Sequence, residues 1–404
     1  MINKKYFAAA LLPFLFFSVG TLLSTIVLEM GAFSSELGEF GYPTGGYIRY
    51  IIYIGISIAE YILIMLLIRP KPIQGSKKVD RFVLIFFSCA LIFYAIPIII
   101  HGPAFLLKLN RYEFMDLPMV GFFNIKLFLG VMMLFLGIAA RPGGDYRKYS
   151  FLLFFLTVAV MMMYGEKFSG PLISIIYFFG GLWIGTGDQK IRLEKILGIL
   201  ILALAFMASV YFLWGTSEGH SPYVIAEAFA DRLARQGQAW WKLDELAMHQ
   251  GGAHGFSVFQ NLNYFNHSQD TPLGNHYIMS LIMPEKQYSA HEGSISAVYP
   301  AILYLNNNFG ELLVYALIFN FIYWLVQIFY FHFLYRKQVI YLMPVFCLWY
   351  TVHLKIFESG NIYLLGHYKY LLGLMAAISI MLIIKSGAFR KNRLPTETEP
   401  VKIT

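Results

Sequence analysis

The hydrophobic pattern divides the chain into ten apolar stretches of roughly 16 to 25 residues, separated by polar connections. A helix needs about 20 residues to cross a hydrocarbon core of about 30 Å. The strands of a membrane β-barrel would instead be about ten residues long and would alternate in polarity. The pattern therefore predicts an all-α, polytopic membrane protein with about ten transmembrane helices, at 6–28, 46–68, 82–101, 121–140, 149–164, 171–186, 196–214, 309–334, 339–356 and 371–385.

The composition excludes the soluble folds that a chain of 404 residues would otherwise allow. Hydrophobic residues make up 58% of the chain and charged residues only 13%, whereas a soluble domain carries about 25% charged residues. Cys89 and Cys347 both lie in apolar stretches, where a thiol packs as a small hydrophobe. The sequence therefore provides neither a water-facing surface nor a disulfide scaffold.

The net charge of +8 raises the question of a nucleic-acid partner, and the placement of the basic residues answers it. If successive apolar stretches alternate in direction, 20 of the 31 Lys and Arg residues fall on one side. The positive-inside rule makes that side cytoplasmic and places both termini there. The first stretch has about 23 residues and no small-x-small cleavage site, so it is predicted to stay as a span. The charge excess is topological, and no nucleic-acid partner is expected.

One long outer connection sets the domain organisation. Residues 1–214 hold the first seven helices, 215–308 form a large outer loop, 309–386 hold the last three helices, and 387–404 form a polar cytoplasmic tail. The loop contains six of the ten histidines and many aromatic residues. This composition is unlike that of a flexible linker, which would be rich in Gly, Ser and Pro. An ordered loop that carries the chemistry is therefore predicted.

The spacing of apolar residues within the loop predicts one amphipathic helix over Val224–His249, with Ser221-Pro222 as its start and Gly251-Gly252 as its stop. On it, Arg232 and Arg235 are three residues apart and Gln236 is four residues after Arg232, so their side chains share a face. Guanidinium groups match phosphate oxygens in pairs. This face is either a pyrophosphate clamp at the membrane surface or a solvated helix face whose arginines pair with acidic neighbours, Glu227 and Asp231.

Two further positions carry candidate chemistry. A histidine beside a glutamate, His291-Glu292, provides a general base for a hydroxyl or is simply part of a polar loop. The short outer connection Gly165-Glu166-Lys167 places Lys167 at the interface, where it meets an anionic headgroup or pairs with Glu166. The histidines lack the spacing of a zinc site, so no metal is predicted.

Four ionisable residues inside the predicted spans carry an insertion cost of up to about 2.5 to 3.5 kcal/mol for a central charge. A proton path and pairing between helices are both compatible with them. They are Glu60, Lys126, His353 and Lys355.

The arrangement resembles the bacterial O-antigen polymerases of the Wzy type, and the O-antigen ligases are similar in layout. The resemblance rests on about ten spans, the short Gly165-Glu166-Lys167 connection, and one late loop with the basic helix segment 232–241. It also rests on a histidine before a Pro- and Gly-marked return to the membrane. One position departs from the pattern, since Lys167 stands where many relatives have arginine.

The resemblance implies a GT-C-like fold in the bacterial inner membrane, and glycosyl transfer between undecaprenyl-pyrophosphate-linked oligosaccharides at the periplasmic face. It implies no cofactor, and a membrane protein that regulates chain length as a partner. In that reading Arg232, Arg235, Gln236 and Lys167 hold the substrate phosphates, Trp240 stacks on a sugar, and the base is His291 or Glu292. The alternatives are an O-antigen ligase, another membrane sugar transferase, or a flippase for the same lipid-linked glycan. A flippase would need a polar lining through the membrane.

Overall fold

The computed structural model describes residues 4–68, 77–109, 111–166, 169–185, 221–249, 274–285, 298–306, 308–335 and 360–365, with single positions between 194 and 219 and between 356 and 379. The structure is mostly helical, at 78%. The predicted seventh helix is described only at single positions. The predicted ninth and tenth helices and the 387–404 tail lie largely or wholly outside the described residues.

Long apolar helices dominate the described part of the chain. A two-residue antiparallel hairpin follows the first helix, with β1 (Phe33–Ser34) paired to β2 (Glu39–Phe40). Short 3-10 helices span Ala301–Asn306 and Ile362–Leu365. The α-helices are α1 (Lys4–Glu29), α2 (Gly46–Ile68), α3 (Lys77–His101), α4 (Arg111–Met115), α5 (Val120–Phe123), α6 (Lys126–Ala139), α7 (Arg147–Met163), α8 (Ser169–Gly185), α9 (Pro222–Ala234), α10 (Gln238–His249), α11 (Asn275–Ile282) and α12 (Phe309–Tyr335).

Three described helices are long and apolar enough to cross a membrane, at Gly46–Leu67, Val79–His101 and Phe309–Gln327. The predicted fourth span qualifies only as a bent pair of helical segments, Val120–Gly130 and Met132–Ala139. Shorter apolar helices lie at Phe14–Glu29 and Gly170–Leu182. These helices support an all-α protein with several membrane spans, and the total of ten stays a prediction.

The connections between helices contact one another in two groups, one on the predicted cytoplasmic side and one on the predicted outer side. This grouping agrees with spans that alternate in direction across the membrane. Among the predicted cytoplasmic connections, Lys77 pairs with Asp145 at 2.7 Å and Arg141 with Asp80 at 2.6 Å. Among the predicted outer connections, the backbone amide of Ser35 donates to Asp231 at 2.9 Å. Within the described ranges, the hydrogen bonds and ion pairs between connections join segments of the same predicted side.

The closest helix crossing depends on two glycines. A Cβ atom on Gly181 of α8 would overlap the carbonyl oxygen of Leu134 in α6, and one on Gly137 of α6 would overlap that of Phe178. Small residues let helix backbones approach closely, which is how helices associate where lipid removes the hydrophobic driving force. These two glycines therefore fix the position of α8 against α6.

The prediction of one continuous helix over Val224–His249 is wrong, because residues 235–237 form a turn between α9 and α10. The turn is held by α1, where the Ser24 hydroxyl donates to the carbonyl of Ala234 at 2.5 Å and accepts from the amide of Gly237 at 2.6 Å. Gly237 is required there because a Cβ atom would lie 2.5 Å from the carbonyl oxygen of Thr21. The predicted Ser-Pro start is confirmed, since Ser221 caps α9 and Pro222 is its first residue.

The helix α10 is enclosed by protein on nearly every face. Residues 238–241 and Asp244 are all fully buried, and Glu245 is 3% exposed. In segment 298–306, called the return segment below, residues 298–304 are also buried, with Tyr304 bonded to α10 and Tyr299 bonded to α12. The described parts of the large loop therefore form a packed cap over the outer ends of the helices.

Candidate functional site

A carboxylate on α10 anchors the outer end of α2. Asp244 is fully buried and accepts two hydrogen bonds from the Arg49 guanidinium, from Nε at 2.6 Å and from Nη2 at 2.5 Å. The hydroxyl of Tyr304 donates to the same carboxylate at 2.6 Å. Burial, and then the charge of Asp244, raise the pKa of the Tyr304 hydroxyl, so it stays a donor. Because its oxygens are already bonded, Asp244 is a structural anion, and we do not assign it as a base.

A second carboxylate, Glu29, extends this group into the Asp244 cluster, defined as Glu29, Thr44, Arg49, Asp244 and Tyr304. Glu29 accepts hydrogen bonds from the Thr44 hydroxyl and from the amides of Gly45 and Tyr47, at 3.1 to 3.2 Å. Negative charge is favoured at a helix N-terminus, and here it stabilises the start of α2. The cluster holds one cation and two carboxylates.

The Arg235 cluster joins α9 to the hairpin. The Arg235 guanidinium contacts the carboxylate of Asp231 one turn earlier, that of Glu36 at 3.2 Å, and the hydroxyl of Ser35 at 2.6 Å. The predicted alternative, in which the arginines of this helix pair with acidic neighbours, is therefore confirmed for Arg235 with Asp231. This cluster also holds one cation and two carboxylates, so its charge does not favour an added phosphate.

The Lys242 cluster has the same composition. The Lys242 ammonium lies 2.8 Å from Glu39 and 3.2 Å from Glu245. Burial lowers the pKa of Lys242, but the hydrogen bonds and charges of the two glutamates outweigh burial and raise it. The lysine therefore stays charged, and a single positive charge again faces two negative ones.

The Glu166 cluster reverses this balance. Glu166 is 5% exposed and forms ion pairs with the ammonium of Lys126 and, at 3.5 Å, with the guanidinium of Arg111. Lys126 therefore pairs with a carboxylate of the connection between α7 and α8, and not with a residue on another predicted span. The side chains of Lys126 and Arg111 remain 19% and 36% exposed. Of the four outer clusters in the described ranges, this is the one in which cations outnumber carboxylates.

An open apolar groove of about 690 Å³ lies along α9. One wall is a stripe of α9 that includes Ile225 and Phe229, and the other is Ala208, Ser209 and Phe212 of the predicted seventh helix. Arg232 lies three residues beyond Phe229, so it continues the same stripe. The groove therefore ends toward a cation.

The structure places the remaining predicted residues as follows. Trp240 is fully buried and its indole nitrogen donates to the carbonyl of Gly46 at 3.0 Å, so neither ring face is open to a sugar. Gln236 lies in the turn, where its carbonyl accepts from Thr21 at 3.4 Å. The predictions for His291, Glu292 and Lys167 lie outside the described residues.

In the described ranges, no group of three or more His, Cys, Asp or Glu residues is arranged to hold a metal ion. Sequence reasoning missed two cations of these clusters, Arg49 and Arg111. Arg49 could have been found, because it is the lone basic residue in the apolar stretch 46–68, and such a residue needs a partner. Arg111 carried no comparable signal.

Comparison with protein-family models, with curated proteins and with solved structures gives no match to this chain. The functional assignment therefore depends on the geometry and charge of the site.

Proposed function

We propose that the chain is a surface-polysaccharide polymerase that joins undecaprenyl-pyrophosphate-linked repeat units at the periplasmic face of the bacterial inner membrane. The observation that carries the proposal is the Glu166 cluster, which offers two partly exposed cations on one buried carboxylate beside a membrane bundle. Lys167 follows Glu166 directly in the chain. The cluster thus replaces the α9 arginines as the main phosphate site, with Lys167 retained from the sequence prediction.

The chemistry of the transfer explains why such a site is needed. A sugar hydroxyl of the acceptor attacks the anomeric carbon of the donor while the bond from that carbon to the pyrophosphate oxygen breaks. The lipid pyrophosphate leaves with the electron pair, and fixed cations stabilise the charge that develops on it. The hydroxyl proton passes to a base, for which His291 or Glu292 remain the candidates. The forked donors of Arg111 suit paired phosphate oxygens, and Lys126 adds a point charge.

A reaction between two lipid-linked substrates needs two lipid sites. The groove along α9 suits an apolar polyprenyl chain, because its described walls are nearly all apolar. In this proposal Arg232, three residues beyond Phe229 on α9, binds the phosphate of that second lipid. Arg235 then has a positioning role, since it ties α9 to the hairpin. A membrane protein that regulates chain length is the expected partner.

The test measures glycan polymers in cells or vesicles that depend on this chain. Loss of one charge-assisted contact removes about 1.5 to 3 kcal/mol, so Lys126→Ala and Arg111→Ala should each slow elongation about ten- to a hundredfold. Single lipid-linked repeats should accumulate. Lys77→Ala is the matched control, because Lys77 is a paired lysine on the opposite face. Normal polymer in both variants, at normal protein level and thermal stability, would overturn the phosphate site.

The products also separate the alternatives. Transfer of the glycan to a lipid A core would identify a ligase. A transporter is the second candidate, and a line of buried polar residues between α2 and α12 favours it. In that case, loss of the protein would leave single repeats on the cytoplasmic face, where added periplasmic glycosidases cannot reach them.

A further inference from the structure

The membrane helix α2 carries a polar stripe that the proposed transfer does not use, in which two members are buried and the third, Glu60, is half-buried. Tyr53, Ser57 and Glu60 are separated by four and three residues, so they lie on one side of the helix. Tyr53 and Ser57 are 1% and 0% exposed. Polar groups inside a membrane helix are expensive and mark functional paths more often than structural ones.

The stripe is part of a hydrogen-bonded string between three elements. The Tyr299 hydroxyl in the return segment donates to the side-chain oxygen of Asn320 on α12 at 2.8 Å. The amide nitrogen of Asn320 donates to the Ser57 hydroxyl at 2.7 Å, and Ser57 donates to the carbonyl of Tyr53 at 2.9 Å. All of these side chains are buried.

The helix geometry gives the depth of the string. Asn320 is 11 residues after Phe309, the first residue of α12, and Ser57 is 11 residues after Gly46, the first residue of α2. At 1.5 Å per residue, both lie about 16 Å from the outer helix ends. The return segment connects this depth to the outer cap, because Tyr304, five residues after Tyr299, is bonded to Asp244.

Glu60 lies one turn beyond Ser57, about 21 Å from the outer end of α2. Its Oε2 atom is buried and has no hydrogen-bond partner among the described residues. The titratable side chains around Glu60 in the described elements are tyrosines. No cation among the described residues pairs with its carboxylate. The tyrosines are Tyr53 and Tyr61 on α2, Tyr299 in the return segment and Tyr323 on α12.

We propose that Glu60 is an intramembrane proton-exchange site, reached from the outer face along the polar string of Tyr299, Asn320 and Ser57. The Glu60 carboxylate accepts a proton from hydronium in water that enters along the string, which leaves a water molecule and a neutral carboxyl, and it later releases the proton to the same water. The Asn320 amide lines this path and does not carry the proton itself. An unpaired carboxylate in hydrocarbon is unfavourable, so its ionisation requires water or movement at the α2–α12 contact. The site therefore couples protonation to that helix contact, independently of whether the protein transfers sugars.

The test uses the unchanged full chain in lipid nanodiscs and the apolar reagent dicyclohexylcarbodiimide. A protonated carboxyl in apolar surroundings adds across the carbodiimide to give a stable N-acylurea, which peptide mass spectrometry locates. Glu60 should be labelled, while Glu311, exposed at the start of α12, is the matched control and should not be. Above its titration midpoint the labelling rate should fall about tenfold per pH unit, with the protonated fraction.

Infrared spectroscopy supplies a second measurement. The carbonyl band of a protonated carboxyl should shift in D2O, be absent in Glu60→Gln, and shift more slowly in Asn320→Leu, whose string is broken. Absence of labelling at Glu60 would overturn the proposal. A Glu60 band that never shifts in D2O would also overturn it, because it would mark a permanently protonated structural residue.

Discussion

Removal of the Asp244 carboxylate should be among the most destabilising single changes in the outer cap. Asp244→Ala leaves the Arg49 guanidinium without its bidentate partner and the Tyr304 hydroxyl without its acceptor. Loss of one partner from a buried ion pair costs about 3 to 5 kcal/mol. Because the Arg49 side chain is 22% exposed, water partly solvates the stranded charge, and we expect the lower end, about 3 kcal/mol.

Thermal unfolding of the detergent-solubilised protein gives the measurement, with three comparisons. Asp145→Ala breaks the Lys77 pair, whose side chains are 74% and 56% exposed, so its effect on Tm should be small. Asp244→Asn keeps the shape of the side chain and one hydrogen-bond acceptor, so its Tm should lie between the Tm values of Asp244→Ala and Asp145→Ala. The double variant Arg49→Leu with Asp244→Leu should lose less than the sum of the two single changes, since no charge is stranded.

Equal Tm values for Asp244→Ala and Asp145→Ala would refute the reasoning, because burial would then have no energetic consequence. A double variant whose loss equals the sum would show that Arg49 and Asp244 act independently. Either result would mean that the outer cap does not depend on this ion pair.

Three further outcomes follow from particular contacts. Gly181→Ala should lower Tm, since overpacking costs about 1 to 3 kcal/mol and its Cβ would overlap Leu134, whereas Gly55→Ala, which meets nothing within 4 Å, should not. Ser24→Ala should cost about 1 kcal/mol in the free energy of unfolding, because the carbonyl of Ala234 and the amide of Gly237 lose their short bonds to the hydroxyl and keep only the 3.4 Å bond to each other. The raised pKa of Tyr304 means that its contribution is intact below the unfolded value of about 10 and falls as pH rises above it, so Tyr304→Phe should flatten the stability profile in that alkaline range.

The sequence pattern predicted the long helices well because an apolar stretch and its polar ends are local properties. The predicted span 46–68 has the same limits as α2. The predicted span 309–334 begins at the same residue as α12 and ends one residue earlier than that helix. The start of α9 at Ser221-Pro222 could also be predicted from the sequence, since capping depends on neighbouring residues. Local rules sufficed for these elements.

The turn between α9 and α10 could not be predicted in the same way. Periodicity continues through it, and the hydroxyl that holds it is Ser24, more than 200 residues earlier in the chain. Likewise, periodicity places Trp240 on a helix face but cannot say whether that face meets solvent or protein. Both outcomes were decided by tertiary contacts with α1 and α2.

The charge partners were the least predictable part of the site. The neighbour of Glu166 in the sequence is Lys167, yet its described partners are Lys126 and Arg111, 40 and 55 residues away. Arg49 and Asp244 are 195 residues apart. Spacing within one helix identifies which residues share a face, and it carries no information about a partner on another element.

The distribution of charge between these clusters bears directly on where an anionic substrate can bind. The Asp244, Arg235 and Lys242 clusters each contain one cation and two carboxylates, and each cluster joins α9 or α10 to the chain between α1 and α2. A phosphate added there would meet negative charge and would have to displace bonds that hold the cap together. The Glu166 cluster joins different connections and brings two cations to one carboxylate, so a phosphate that contacts Lys126 or Arg111 leaves the contacts of the cap in place. If the proposed function holds, the pyrophosphate of the donor should therefore approach beside α6 and α8.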